Sequence, residues 1–272
     1  MQLDQTRIAI RERGFGEIMG LALQVIRAWF GWWFGLMLLG SVPFFFLNWL
    51  LTDNLLIEEL EYEEGFGGYW TLLLLLVAIE TPLATAFITI FMGKMMFGGE
   101  FRFREMVIDF IRSLPQLVLY QVVLRSVMMM IVLLPYWLMP YTGELILLER
   151  NPLFSGKKGR LTTNRRSRNL HTNNGGELFG RWTLATLTGG VMTLALGLGI
   201  QVVLVQIFGV ELEAYHLHAF VYPAALWIVV GWLAVVRFLA YLDLRIRREG
   251  WEVELLMRAE ASRLRRQSAL VS

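Results

Sequence analysis

Long, nearly uncharged apolar runs recur along this 272-residue chain, and they constrain its fold more than any other feature. A helix needs about 20 predominantly apolar residues to cross roughly 30 Å of hydrocarbon. Runs of that length make lipid the solvent for most of the chain. The hydrophobic fraction of 56% and the mean hydropathy of +0.52 agree with that reading. A soluble domain is closer to half apolar and shows no such runs. The expected fold class is therefore all-α, a polytopic transmembrane helical bundle of about six spans in a single integral membrane domain.

Charge segregation orients the spans. The segment 52–68 carries Asp53, Glu58, Glu59, Glu61, Glu63 and Glu64 without a single Lys or Arg, and the short segment 211–218 has Glu211 and Glu213 and again no Lys or Arg. By contrast, 150–182 carries Arg150, Lys157, Lys158, Arg160, Arg165, Arg166, Arg168 and Arg181 against Glu177 alone. Basic loops stay on the cytoplasmic side. This places 150–182 and both termini in the cytoplasm and the two acidic segments outside. Residues 7–28, with apolar positions at helical spacing among Arg11, Arg13, Glu17 and Arg27, read as an amphipathic helix on the cytoplasmic membrane surface. The N-terminus lacks a short apolar core, so no cleavable signal peptide is expected.

The spans are expected at about 29–51, 69–96, 114–134, 135–149, 184–210 and 219–240. An amphipathic stretch, 100–112, precedes the third, and a charged helical tail, 241–272, follows the sixth. The fourth contains two prolines and reaches only about 22 Å as a helix, so it reads as a short or re-entrant pass. The second is interrupted at Glu80-Thr81-Pro82. Gly189, Gly190, Gly197 and Gly199 in the fifth allow close helix approach.

The candidate chemistry is sparse. The chain has no Cys, which excludes disulfides and thiolate sites. No nucleotide-binding loop, Ser-His-Asp set or HExxH motif occurs, so neither a cofactor nor an enzyme activity is expected. Glu80 and Arg125 fall mid-span, where a lone charge costs on the order of 3 kcal/mol. They read as a mid-membrane polar pair, functional or structural. Asn48 and Glu144 are weaker candidates nearer the outer side. His216 and His218 offer only a weak metal pattern, better explained as an interfacial turn, and no metal is expected. His171 reads as solvated or facing an anion. Lys157, Lys158, Arg160, Arg165 and Arg168 are expected contacts for anionic lipid headgroups; no nucleic-acid-binding fold accompanies them. In the tail, Asp243/Arg247, Arg245/Glu249 and Arg248/Glu252 are opposite charges at i,i+4.

The tail Tyr241-Leu242-Asp243-Leu244-Arg245-Ile246-Arg247-Arg248-Glu249-Gly250-Trp251 resembles the pattern Y-F-D-L-R-V-R-x-E-G-F of bacterial integral membrane proteins grouped with the membrane domain of glycerophosphoryl diester phosphodiesterases. Arg13-Gly14-Phe15-Gly16-Glu17-Ile18, and Ile146-Leu147-Leu148-Glu149 followed by Arg166-Ser167-Arg168-Asn169-Leu170, resemble two further stretches of that family. The interval between Glu149 and Arg166 is longer here, and Asn169-Leu170-His171 matches only in part. The family's phosphodiesterase chemistry belongs to a separate barrel domain, so the resemblance implies a bacterial inner-membrane domain and no activity. It draws Glu149, Arg166, Asp243, Arg245, Arg247 and Glu249 into one cytoplasmic charge cluster, in which Glu149 and Asp243 clamp the basic loop onto the tail. The expected function is a non-catalytic scaffold or subunit, contacting membrane lipids and a protein partner through the cytoplasmic face. The alternative is a transporter of lipid or small solutes.

Overall fold

The computed structural model describes residues 13–62, 65–96, 102–127, 140–149, 152, 162–172 and 174–249. The described residues form helices and their connections. In chain order these are α1 (Phe15–Ala28), α2 (Phe30–Glu61), α3 (Gly67–Ala84), α4 (Ala86–Met96) and α5 (Phe103–Leu117), which runs on through wide π-type turns over Val118–Leu124. Then come α6 (Thr142–Glu144, continued over Leu145–Glu149), α7 (Thr163–His171), α8 (Gly175–Val202, continued over Val203–Ile207), α9 (Ala214–His216, continued over Leu217–Val221) and α10 (Tyr222–Glu249). Among the described residues five stretches are long and apolar enough to cross a bilayer: Phe30–Glu61, Gly67–Met96, Phe103–Val127, Gly175–Ile207 and Ala214–Arg248. The protein is an all-α membrane protein.

The bundle is built around α10. Val229, Trp232, Val235, Val236, Phe238, Leu239, Ala240 and Tyr241 are buried on every side of it. An apolar helix with no polar face belongs in the middle of an assembly. It touches α1, α2, α4, α7 and α8. By contrast, α8 turns Leu184, Leu187, Val191, Leu194 and Leu198 outward, towards lipid.

Several elements differ from the sequence expectation, each for a local reason. The acidic segment after Leu51 is helix rather than loop, because α2 continues to Glu61. Nothing from Leu51 to Glu61 is Gly or Pro, and Leu and Glu are good helix formers. Glu59 then folds back so that its Oε1 accepts the Tyr69 backbone N–H at 2.9 Å. One unpaired donor in the first turn of α3 is thereby satisfied by an anion at a helix N-terminus. Gly68 permits this, since a Cβ there would lie 2.4 Å from that oxygen. The second span breaks between α3 and α4 at Thr85, three residues after Pro82. Residues 100–112 and the third span are one continuous helix as far as they are described.

The amphipathic α1 does not present its apolar face to lipid. Ile18 and Ala22 are fully buried, and α1 packs along α10. Of the expected fourth pass, 135–139 lies outside the described residues. The remainder, Thr142–Glu149, is a buried helical piece about 12 Å long.

Two of the four glycines singled out in α8 serve close packing. A Cβ at Gly197 would lie 2.4 Å from Tyr222 and one at Gly189 would lie 3.1 Å from Leu233, whereas Gly190 and Gly199 face open space. The tightest approach lies elsewhere. A Cβ on Gly40 of α2 would come within 1.9 Å of the Ala84 carbonyl oxygen of α3. Backbone cannot yield as a side chain can. Gly40→Ala should therefore destabilise at or beyond the roughly 1–3 kcal/mol of an over-packed core. Gly35→Ala, on the same helix with nothing within 4 Å, should behave as wild type. Thermal melting of the two variants in detergent, followed by size-exclusion recovery, checks the contrast.

Candidate functional site

The ionisable groups of the buried helix α10 organise one end of the bundle, called here the basic end. Asp243 is only 4% exposed. Its Oδ2 accepts from Arg181 of α8 at 2.8 Å and from Arg247 at 3.0 Å, and its Oδ1 accepts the Arg13 backbone N–H at 3.0 Å. Glu177 binds the same two arginines, at 2.8 Å to Arg181 and 2.7 Å to Arg247. Two carboxylates and two guanidiniums thus close a ring joining α8 to α10, with the entry to α1 tied in. The Arg181 guanidinium also stands over the Phe15 ring, 5.9 Å from its centroid.

A second cluster lies on another side of α10. Arg166 of α7 grips Glu149 with two bonds, Nε to Oε2 at 2.8 Å and Nη2 to Oε1 at 3.1 Å. This fork-to-fork geometry is among the stronger charged contacts. The Tyr241 hydroxyl donates to Glu149 Oε1 at 2.9 Å, and Arg245 reaches the same oxygen at 3.3 Å. The structure therefore brings together Glu149, Arg166, Asp243, Arg245 and Arg247, in two groups rather than one. Of the i,i+4 tail pairs, Asp243/Arg247 is formed. Arg245 reaches Glu149. The Glu249 side chain and Glu252 lie outside the described residues.

Deeper along α10, Arg237 pairs with the buried Glu144 at 2.8 Å and donates to the Pro140 carbonyl at 3.3 Å. Glu144 therefore sits in the basic-end half, away from the acidic end where it was expected. Arg237 lies about 9 Å from Asp243 along the helix. The expected Glu80–Arg125 pair is not made among the described residues. Glu80 accepts from Asn48 Nδ2 of α2 at 2.9 Å, and Arg125 donates to Gln121 one turn earlier. A sequence clue to Arg237 was available: an Arg within an apolar run demands a carboxylate partner, and Glu144 was an acid within an expected span. Arg181, at the end of a basic segment, carried no such signal.

Arg165 and Arg168 are exposed on α7, while Lys157, Lys158 and Arg160 lie outside the described residues. His171 is buried rather than solvated. Its Nδ1 lies 2.7 Å from the Ser167 carbonyl oxygen, and its Nε2 accepts the Tyr141 backbone N–H at 3.3 Å. That pattern needs the neutral ring with the proton on Nδ1. Burial accordingly pushes the His171 pKa below its ordinary value. At the opposite, acidic end His218 stacks on Phe66 at 4.0 Å and His216 lies against Glu213. No group of three His, Cys, Asp or Glu suited to a metal occurs among the described residues.

A cavity of about 180 Å³ runs between α8 and α10. Arg125, Arg181, Arg237, Tyr141, Thr81 and Trp182 contribute to an otherwise mostly apolar wall. Glu80 is not part of it. Compared with known protein families, with characterised proteins and with solved structures, the chain matches none of them.

Removing one partner of a buried ion pair strands the other charge, at a cost of about 3–5 kcal/mol. Asp243→Asn should destabilise by that order in thermal melts. The exchange of Asp243→Arg with Arg181→Asp should recover part of the loss, and Asp243→Arg alone should not. Acid should act through His171. A histidine whose folded pKa lies below its unfolded value adds stability that is whole above the unfolded value, about 6.5. That stability fades as pH falls beneath 6.5, because the unfolded chain takes the proton first. Melting temperature should therefore drop more steeply in wild type than in His171→Gln between about pH 7.5 and about pH 5.5.

Proposed function

We propose that the protein is a non-catalytic membrane scaffold or subunit whose basic end faces the cytoplasm and receives a protein partner. The observation that carries this reading is the pair of ion-pair clusters. Through them α1, α6, α7, α8 and α10 form a single braced platform at one end of the bundle. A platform held in this way presents its exposed groups in fixed positions, which lowers the ordering cost of binding. Arg165 and Arg168 on the outer face of α7 are the groups so presented, and they suit an acidic partner surface or anionic headgroups. The charge asymmetry of the connecting segments supports the cytoplasmic orientation. The resemblance to the membrane domain of bacterial glycerophosphoryl diester phosphodiesterases supports a bacterial inner-membrane setting. Residues in its matching stretches, Glu149, Arg166, Asp243, Arg245 and Arg247, are among those that form the braces.

A second reading, handling of a lipid or small solute, has one observation in its favour. The cavity beside α10 is reached by Arg125 although not by Glu80.

Native mass spectrometry of the protein released from nanodiscs of its own membrane tests the first reading. A retained protein subunit that is lost in the Arg165→Glu/Arg168→Glu variant, and kept in Glu80→Gln, is the expected result. Release of the protein with no subunit under conditions that preserve known membrane complexes would overturn it.

A further inference from the structure

The cavity between α8 and α10 has a composition that a packing defect does not explain. Among the described residues three arginines, Arg125, Arg181 and Arg237, line it, and no acidic residue does. The acids that pair with two of them, Asp243 and Glu144, stand outside the wall. Arg181 is 9% exposed and interacts with Asp243, Glu177 and the Tyr141 side chain, yet among the described residues its Nη1 has no hydrogen-bond partner. A buried guanidinium nitrogen left without an acceptor is costly and asks for one. The rest of the wall is largely hydrocarbon: Leu178, Ala185, Val230, Leu233, Ala234 and Val236.

The cavity is also long. On α10 it extends from Val230 to Ala240, about 15 Å at 1.5 Å per residue. Its shallow end lies at Phe15 and Arg181, beside the ring of ion pairs, and its deep end at Thr81 and Val230. Thr186, exposed on α8, lies at its lipid-side margin. Guanidinium is the side chain best matched to a carboxylate or phosphate, and an elongated apolar wall is matched to an alkyl chain.

We propose that this cavity is a binding site for one anionic amphiphile, an oxyanion headgroup on an acyl chain, drawn from the leaflet at the basic end. The headgroup takes the guanidinium-lined part of the wall and the chain lies along α8 and α10. The site does not depend on the scaffold reading, since its ligand is a lipid held inside the bundle and not a protein on the exposed face of α7. The same headgroup chemistry is offered by a phospholipid phosphate and by a free fatty acid carboxylate.

The test is native mass spectrometry of the full-length protein in detergent. It is recorded as purified, then after delipidation with added dodecyl phosphate, dodecanoate or dodecanol. Wild type should emerge carrying one anionic lipid, and the mass of that lipid distinguishes phospholipid from fatty acid. After delipidation it should bind one dodecyl phosphate or dodecanoate at least about tenfold more tightly than dodecanol. That ratio corresponds to 1.4 kcal/mol. Arg125→Gln should reduce that preference. Ala185→Phe and Thr186→Phe, which narrow the slot without touching an ion pair, should reduce binding of both anions by a similar factor while melting like wild type. Equal binding of dodecanol would overturn the headgroup assignment. Undiminished binding in both slot-narrowing variants would overturn the location.

Discussion

A charge inside a membrane bundle must meet an opposite charge or a dense set of hydrogen bonds, and the arrangement of this protein follows from how α10 meets that requirement. Its side chains are buried on every face, yet it carries Arg237, Asp243, Arg245 and Arg247. No single neighbour supplies all the partners. Glu144 and Glu149 come from α6 and its continuation, with Arg166 of α7 holding Glu149, and Glu177 and Arg181 come from α8. Each pairing fixes the rotation and depth of the element that contributes it. Hydrophobic association between helices is weak when the surrounding solvent is itself hydrocarbon. The ion pairs and close glycine contacts therefore carry much of the specificity.

The two ends of the bundle are held by different means. At the basic end the contacts are charge to charge. At the acidic end they are hydrogen bonds from aromatic residues to acids and carbonyls. Trp49 donates to the Tyr215 hydroxyl, which donates to Asp53 at 2.7 Å, and the Tyr69 hydroxyl donates to the His218 carbonyl at 2.6 Å. Between the ends the helices meet mainly through backbone proximity and single polar links. Trp33 donates to the Gly231 carbonyl at 3.1 Å, and Asn48 donates to Glu80. The cavity lies where this middle layer adjoins the basic end. There Arg181 and Arg237, both used in bracing, also line a largely apolar slot.

Much of the charge chemistry was legible without coordinates. The acids and bases were already sorted into separate segments, and the family-like stretches singled out Glu149, Arg166, Asp243 and Arg245. Partner choice was less legible. Arg245 was expected to pair within its own helix, where an exposed i,i+4 contact contributes about 0.2–0.5 kcal/mol. The structure also gives Arg245 a cross-element contact, to the part-buried Glu149 already gripped by Arg166 and Tyr241. Glu80 and Arg125 were matched by depth alone, and depth says nothing about which face of a helix a residue occupies. The acidic segment after α2 was read as loop because polar residues are common there, although it contained no helix breaker.

The sequence by itself determined that the chain enters a membrane as helices and which segments collect each sign of charge. Those properties follow from transfer free energy and local propensity, which each segment carries alone. Only the tertiary structure decided which helix stands in the centre. The most apolar windows of the stretches Gly175–Ile207 and Ala214–Arg248 have mean hydropathies of 2.0 and 2.1, yet 11% of one and 67% of the other is buried. Lipid and protein interior are equally apolar, so hydropathy cannot separate a lipid-facing helix from a core helix. That choice, and with it the cavity and the ion pairs around it, depends on shape and on charges supplied by distant segments.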